Sequence, residues 1–193
     1  PDIIEKLEKS FRIKNKSKYC LALSSGTAAL HTAYLSINLK KGDEVIVSNY
    51  TFPATVVPLF LIGAKPILCD VDKNFANIDP DKVEKLITKK TKAITVTHWW
   101  GQPCKMDQIC KIAKKYRLKL IEDCAHAPGA KFKNKNVGTF GDFGCFSLDN
   151  QKLLASGEGG ILTTNNYDLY QRAILFSDFG PRLNTQIKIK KYK

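Results

Sequence analysis

The sequence predicts an α/β fold, a three-layer αβα sandwich with a mostly parallel sheet of about seven strands. Three observations predict it. Short apolar runs alternate with segments of helical periodicity, as in sheets whose parallel strands are joined by helices. The run 118–121 is apolar apart from one lysine, which is typical of a strand near the centre of such a sheet. The 193 residues suffice for one well-cored domain and contain no internal repeat.

The expected strands and helices follow from this alternation in chain order. The apolar runs place strands at 19–23, 44–48, 66–70, 93–97, 119–123, 144–147 and 160–163. The periodic segments place helices at 3–11, 27–37, 54–62, 80–87, 106–116 and 168–176. The helix at 80–87 has the clearest start, because Asp79 is a capping residue and Pro80 suits a first turn.

The chain is strongly basic, with 31 Lys and Arg against 18 Asp and Glu and a net charge of +13. One interpretation is a phosphate-rich partner, such as a nucleic acid or a nucleotide-sugar. The other is lysine scattered over solvated surfaces. The basic clusters 111–119 and 188–193 lack the aromatic residues and motifs of nucleic-acid modules. We therefore favour scattered lysine and expect no nucleic-acid partner.

The six cysteines include no C-x-x-C spacing, so no zinc site or redox pair is predicted, and we expect no metal. Four of them lie in apolar stretches, where a cysteine packs as a small buried apolar residue. No signal peptide and no apolar run of membrane-spanning length is visible. These features favour the reducing cytoplasm and no membrane association.

The most informative pair is Asp123, at the end of a predicted strand, and Lys152, 29 positions later on a turn. Pyridoxal phosphate chemistry needs both. A lysine amine attaches to the cofactor aldehyde, and a carboxylate keeps the pyridine nitrogen protonated so that the ring can accept electrons. Either residue alone would be weak support, because a strand-end Asp is common and lysine is abundant here.

The turn Ser25-Gly26-Thr27 permits two interpretations. Gly26 lets the backbone approach a phosphate closely, and Thr27 with the free amides of the following helix can donate to it. Alternatively, a serine or threonine in this turn is an ordinary helix N-cap.

Four segments resemble the DegT/DnrJ/EryC1/StrS sugar aminotransferases, a branch of the fold type I pyridoxal phosphate enzymes. They are 24–30 (SSGTAAL), 50–55 (YTFPAT), 122–130 (EDCAHAPGA) and 146–160 (FSLDNQKLLASGEGG), in the family's order and spacing. Together with the connecting segments, the likeness covers most of the chain, roughly residues 2–182.

The resemblance assigns roles to individual residues. Gly26, Thr27 and the backbone amide of Ala28 would bind the cofactor phosphate, and Ser147 would contact it as well. Phe52 would stack on the pyridine ring; the alternative is a core phenylalanine beside Pro53.

Three residues would then be catalytic. Asp123 would pair with the pyridinium, and His126 would lie near the phenolic oxygen or against the ring, although a lone histidine is more often structural. Lys152 would bind the cofactor and then move a proton on the substrate. In the segment 98–102 (HWWGQ) two tryptophans depart from the family's commonest residues, and we assign them no catalytic role.

The resemblance implies an aminotransferase that passes an amino group from glutamate or glutamine to a keto-sugar or related cyclic ketone, and that forms a homodimer when full length. One alternative is a sugar dehydratase of the same family, whose members replace the lysine; Lys152 argues against it. The other is a non-catalytic cofactor-binding or regulatory fragment. Because the family adds a smaller carboxy-terminal domain, we expect 1–182 to be a large cofactor-binding domain and 183–193 a tail or the start of the missing part.

Overall fold

The computed structural model describes residues 3–177, which form one seven-stranded sheet with helices on both faces. The helices are α1 (Ile3–Asn15), α2 (Gly26–Ser36), α3 (Val57–Ile62), α4 (Pro80–Lys85), α5 (Met106–Tyr116) and α6 (Tyr167–Ser177). The strands are β1 (Tyr19–Leu23), β2 (Glu44–Ser48), β3 (Lys65–Cys69), β4 (Thr91–Thr97), β5 (Lys119–Asp123), β6 (Lys131–Phe132), β7 (Lys135–Asn136), β8 (Phe143–Ser147) and β9 (Gly160–Thr164).

The strand order in the large sheet is β1-β9-β8-β5-β4-β2-β3, and β6 pairs with β7 in a separate hairpin. Neighbouring strands from β8 to β3 pair in parallel, whereas β9 is antiparallel to both β8 and β1. In the large sheet, therefore, β9 alone opposes the common direction. The predicted mostly parallel seven-stranded sheet is confirmed.

Each face of the sheet has its own apolar core, because successive side chains of a strand point to opposite faces. Val45 and Val47 of β2 pack in the core that includes residues of α2, α3 and α6. Ile46, between them, packs with residues of α4 and α5. A third cluster joins Phe11 of α1 to Phe146 of β8, with ring centroids 4.9 Å apart. The three layers of the predicted sandwich follow from this alternation.

The helix predicted at 54–62 is wrong at its start. A 3-10 turn covers Pro53–Thr55, and α3 begins only at Val57. Pro58 explains the break, because a proline has no N–H to donate and is tolerated in the first turn of a helix but not inside one. Asp79 caps α4 as predicted, since its side chain accepts from the Asp81 amide at 3.0 Å.

None of the helices in residues 3–177 combines the length and apolar character that a membrane span requires. The segment 183–193, which we expected to be a tail or the start of a further domain, lies outside the described residues.

Candidate active site

A cavity of about 380 Å³ opens at the carboxyl ends of β4, β5 and β8. The last residues of these strands, Thr97, Asp123 and Ser147, all line it. Parallel strands end at the same edge of a sheet, so residues far apart in the chain meet there, and this edge is where open α/β sheets usually bind ligands. The start of α2 and the loop between β8 and β9 supply further lining residues.

The Asp123 side chain is almost completely buried and is held at both oxygens. Its Oδ2 accepts from the Thr55 hydroxyl at 2.6 Å, and its Oδ1 accepts from the Ala125 amide at 3.1 Å. The Thr55 carbonyl in turn accepts from the buried Tyr34 hydroxyl at 2.9 Å. These bonds fix the carboxylate at one place in the cavity wall.

Lys152 lies on a turn that follows β8, and local bonds of Asp149 shape that turn. The Asp149 side chain accepts from the Gln151 amide at 2.9 Å, and its carbonyl accepts from the Lys152 amide at 3.0 Å. The Asp149 amide donates to the Ser147 hydroxyl at 3.3 Å. An Asp that binds the backbone two residues later is a common turn device, which here places Lys152 on the cavity wall.

The Lys152 amine lies 3.1 Å from Nε2 of His126. A protonated lysine amine can only donate, so in that form it would donate to Nε2 of a neutral imidazole. Burial, and next the charge of Lys152, lower the pKa of His126, while Asp123 opposes the shift. The other ring nitrogen, Nδ1, is buried and has no partner among the described residues.

The turn at the start of α2 is an N-cap, as one of its two predicted interpretations has it, and its residues also line the cavity. Ser25 is the N-cap, since its hydroxyl accepts from the Ala28 amide at 3.0 Å. Gly26 and Thr27 nevertheless line the cavity, beside Ser147. A β-carbon at Gly26 would lie 2.9 Å from that of Ser147, so the close approach of the two segments requires glycine. Ala28 lies outside the lining of this cavity, and its amide is already bound.

Phe52 lies on the cavity rim, just before the 3-10 turn. Its ring is 59% exposed and its centroid is 5.9 Å from the Lys152 amine. The alternative of a core phenylalanine is therefore wrong, because a core ring would be buried. Of the eight residues predicted for the site, the structure brings seven to one cavity and leaves Ala28 outside its lining.

Several residues of the site were not predicted from the sequence. Tyr34 and Thr55 act on Asp123 from distant segments, and no local pattern points to them. Trp99 also lines the cavity. The role of Asp149 had a visible signal, since Asp-Asn two residues after the end of a strand favours a side-chain-supported turn.

A buried trio behind the site, His98, Glu122 and Cys124, has the side-chain types of a metal site. Its ligand atoms are used within the protein. Nδ1 of His98 accepts from the Cys104 amide, and Nε2 lies 3.1 Å from a Glu122 oxygen. The Glu122 carboxylate also accepts three backbone amides of residues 138–141. The trio therefore fixes the end of β5 to its surroundings.

Comparison with known proteins agrees with this geometry. The sequence profile of the DegT/DnrJ/EryC1/StrS aminotransferase family matches residues 2–192. GDP-perosamine synthase of Escherichia coli O157:H7 is 43% identical over 183 residues, which make up 95% of this chain and 50% of that protein. A dTDP-3-amino-3,6-dideoxy-alpha-D-galactopyranose transaminase of Aneurinibacillus thermoaerophilus is 42% identical, over 92% of this chain and 49% of the transaminase. The chain thus spans about half the length of these relatives.

Solved structures also resemble this chain, among them an aminotransferase and a dehydratase. An aminotransferase from Psychrobacter cryohalolentis superposes with a TM-score of 0.86 at 40% identity, over 88% of this chain and 43% of that one. NtdA of Bacillus subtilis, solved with bound cofactor PMP, has a TM-score of 0.89 at 33% identity, over 96% and 42%. A mutant of GDP-4-keto-6-deoxymannose-3-dehydratase, with bound GDP-perosamine, has a TM-score of 0.84 at 34% identity, over 89% and 46%. The chain belongs to the DegT/DnrJ/EryC1/StrS aminotransferase family.

Proposed function

We propose that this protein is a pyridoxal-phosphate-dependent aminotransferase that moves an amino group from glutamate or glutamine to a ketone. The ketone is a nucleotide-linked keto-sugar or a related cyclic ketone. The observation that carries the proposal is that Asp123 and Lys152 line one cavity, together with the turn at the start of α2. The two sugar-modifying relatives compared above support the substrate class.

The residues of the cavity fit this cofactor. One end offers hydroxyls and free amides for a phosphate, where Gly26 leaves no room for a side chain against Ser147. Asp123, buried and held at both oxygens, provides a fixed negative charge for a pyridinium. Phe52 offers a flat exposed ring. When bound, pyridoxal phosphate supplies a carbonyl for amine exchange and a ring that withdraws electrons from the substrate.

The protein's own groups supply binding, orientation and proton transfer. Lys152 would hold the cofactor covalently, which requires its amine in the neutral form. A proton on the amine has a neighbouring acceptor in Nε2 of His126, at 3.1 Å. Once released, the same amine can take and return a proton on the substrate, because it lies on the cavity wall. Asp123 would keep the cofactor ring nitrogen protonated.

Domain organisation and partners belong to the same proposal. We assign residues 1–182 to the cofactor-binding large domain, completed by a second domain, because this chain spans about half the length of its relatives. We propose a homodimer as the active form, with no nucleic-acid or membrane partner. The cytoplasm suits the protein, because its six cysteines are unpaired and five of them are buried.

The dehydratase neighbour makes a sugar dehydratase the second candidate. Lys152 is the residue that separates the two, because a dehydratase of this family is expected to lack the lysine. The other alternative is a protein that binds the cofactor without turnover. Catalytic activity of the full-length protein would exclude it.

The experiment is covalent trapping. The chain is incubated with pyridoxal phosphate, reduced with borohydride, digested and analysed by mass spectrometry. We expect the reduced adduct on Lys152. Lys152→Ala and Lys152→Arg should both lose it, because a guanidinium stays protonated and cannot replace the amine. Lys92→Ala, on the exposed side of β4, serves as the control and should keep the adduct.

The full-length protein then tests turnover. With glutamate and a nucleotide-linked keto-sugar we expect amino transfer that both Lys152 variants abolish. Reversible cofactor binding without a trapped adduct or amino transfer would contradict the aminotransferase and favour the dehydratase or the non-catalytic protein.

A further inference from the structure

The two tryptophans that follow β4 lie against His126. The ring of Trp100 stacks on His126 with centroids 5.2 Å apart and planes at 18°. The ring of Trp99 meets the same imidazole at 4.9 Å and 58°. The imidazole is thus packed by two indole rings, while its Nε2 faces Lys152.

Burial in the core does not explain Trp100. Its side chain is 77% exposed, and among the large apolar residues that the structure describes only Leu153 is more exposed. Its backbone is also unfavourable, since φ is 51° and ψ is 27°, in the left-handed region that bulky residues avoid. A strained, exposed tryptophan implies that the surroundings impose this conformation, and such residues often occur at functional sites.

Contacts at the two ends of the turn 98–101 explain why Trp100 keeps this conformation. His98 begins the segment, and its amide donates to the Asp123 carbonyl at 3.0 Å. Its ring is buried between Glu122 and the Cys104 amide. On the other side, Gly101 has φ of 82°, and a β-carbon there would lie 3.3 Å from the His126 carbonyl. The turn is therefore bonded at its start to the segment 122–126, which carries Asp123 and His126, and packs closely against that segment at its end.

We propose that Trp100, supported by Trp99, is a positioning residue that fixes the plane of the His126 imidazole so that Nε2 faces the Lys152 amine. The consequence for catalysis rests on the proposed function. Without the stack, the imidazole could rotate away from Lys152, since no other bond of its ring is found among the described residues.

The first test measures the imidazole pKa of His126 by NMR in the chain without cofactor. Only three histidines need to be resolved. The charged groups that act on His126 are Lys152 and Asp123, and neither is substituted in the variants. In Trp100→Leu we expect the pKa of His126 to rise by roughly half a unit or more, because water reaches one face of the ring and solvates the protonated form.

Three further variants make the test decisive. Trp100→Gly removes the ring and relieves the left-handed backbone, so it should fold and show the same rise. Trp100→Phe keeps a flat ring and should leave the pKa of His126 close to that of the unsubstituted chain. Phe60→Leu, which removes a 64% exposed ring elsewhere, should leave it unchanged. An unchanged pKa in both ring-removing variants, or an equal rise in Trp100→Phe, would overturn the proposal.

The second test uses the full-length protein and separates positioning from substrate binding. We expect Trp100→Leu to lower kcat about tenfold, part of the effect that one acid–base group contributes. KM for the keto substrate should change less than about twofold, and Trp100→Phe should recover most of kcat. A change confined to KM would overturn the positioning role. If the unsubstituted protein forms no adduct on Lys152, the proposed function fails, and the pKa comparison still decides whether Trp100 positions His126.

Discussion

At the scale of single residues, Asp123 illustrates what a sequence can and cannot show. A carboxylate at the end of an apolar run, 29 residues before Lys152, is recognisable from order and spacing. The Thr55 hydroxyl that binds it comes from 68 residues earlier in the chain, and the Tyr34 hydroxyl that supports Thr55 comes from another helix. Threonine and tyrosine at those positions carry no local signal, because only the tertiary fold brings them to Asp123.

Replacing Asp123 tests its proposed charge role. Asp123→Ala should lower turnover of the full-length protein by on the order of 10²–10³-fold, the scale of losing one fixed electrostatic stabiliser. Much of the cofactor should stay bound, because the phosphate end of the cavity is unchanged. Asp123→Glu should keep part of the activity. Turnover assays and spectral titration with pyridoxal phosphate measure both effects, with the exposed Asp81→Ala as the control. Near-normal turnover of Asp123→Ala would rule out the role.

At the scale of elements, most strands and helices were predictable because their apolar periodicity is strong. The seven strands of the sheet lie within two residues of the predicted bounds. The hairpin of β6 and β7 was not predicted, because two-residue strands have no measurable period. Its turn, Lys133-Asn134, adopts left-handed backbone at both residues without a glycine to signal it. Helix ends were less accurate than helix existence, as with α3.

At the contact between β9 and the start of α2, two backbone segments lie closer together than at the other glycines of the described residues. A β-carbon at Gly160 would lie 2.0 Å from the Ser25 carbonyl oxygen, which belongs to the backbone and cannot move alone. Gly160→Ala should therefore lower the free energy of unfolding by about 3 kcal/mol, near the upper end for overpacking. Urea denaturation of the chain measures it.

Gly42→Ala is the matched control for that prediction. Nothing lies within 4 Å of its added β-carbon, and only its left-handed φ of 86° opposes the substitution. The loss there should be about 1 kcal/mol. A loss at Gly160 no larger than the loss at Gly42 would contradict the close packing of β9 against the start of α2.

At the scale of the whole molecule, basic residues outnumber acidic ones, and five carboxylates of the described residues form an ion pair with a lysine. Three of these ion pairs connect α4, α5 and the hairpin to their neighbours, namely Lys105–Asp72, Lys115–Glu84 and Lys133–Asp107. In each pair, the hydrogen bond from the lysine is the main cause that lowers the carboxyl pKa.

The pH dependence of stability follows from the direction of these shifts. A carboxyl group whose pKa is lowered by folding stabilises the native state above its unfolded pKa, which is 3.8 for Asp and 4.5 for Glu. That stabilisation is lost as the pH falls through the lower folded-state pKa. A variant with Asp72→Asn, Glu84→Gln and Asp107→Asn should thus unfold at lower urea concentration than the parent above pH 4.5, and the difference should close in more acidic buffer. A difference that is constant with pH would contradict the assignment.

The position of β9 has a consequence for Lys152. The loop that carries the lysine leaves β8 and returns directly into β9, its antiparallel neighbour, and bonds from Leu148 to Gly159 and from Ser156 to Leu148 close its base. The amine is therefore on a short tether whose two ends are fixed in one sheet. If Lys152 holds the cofactor as proposed, this tether would keep its amine close to the place where the substrate would bind. One strand running against the others would thus allow a single lysine to serve, as proposed, first as anchor and then as acid and base.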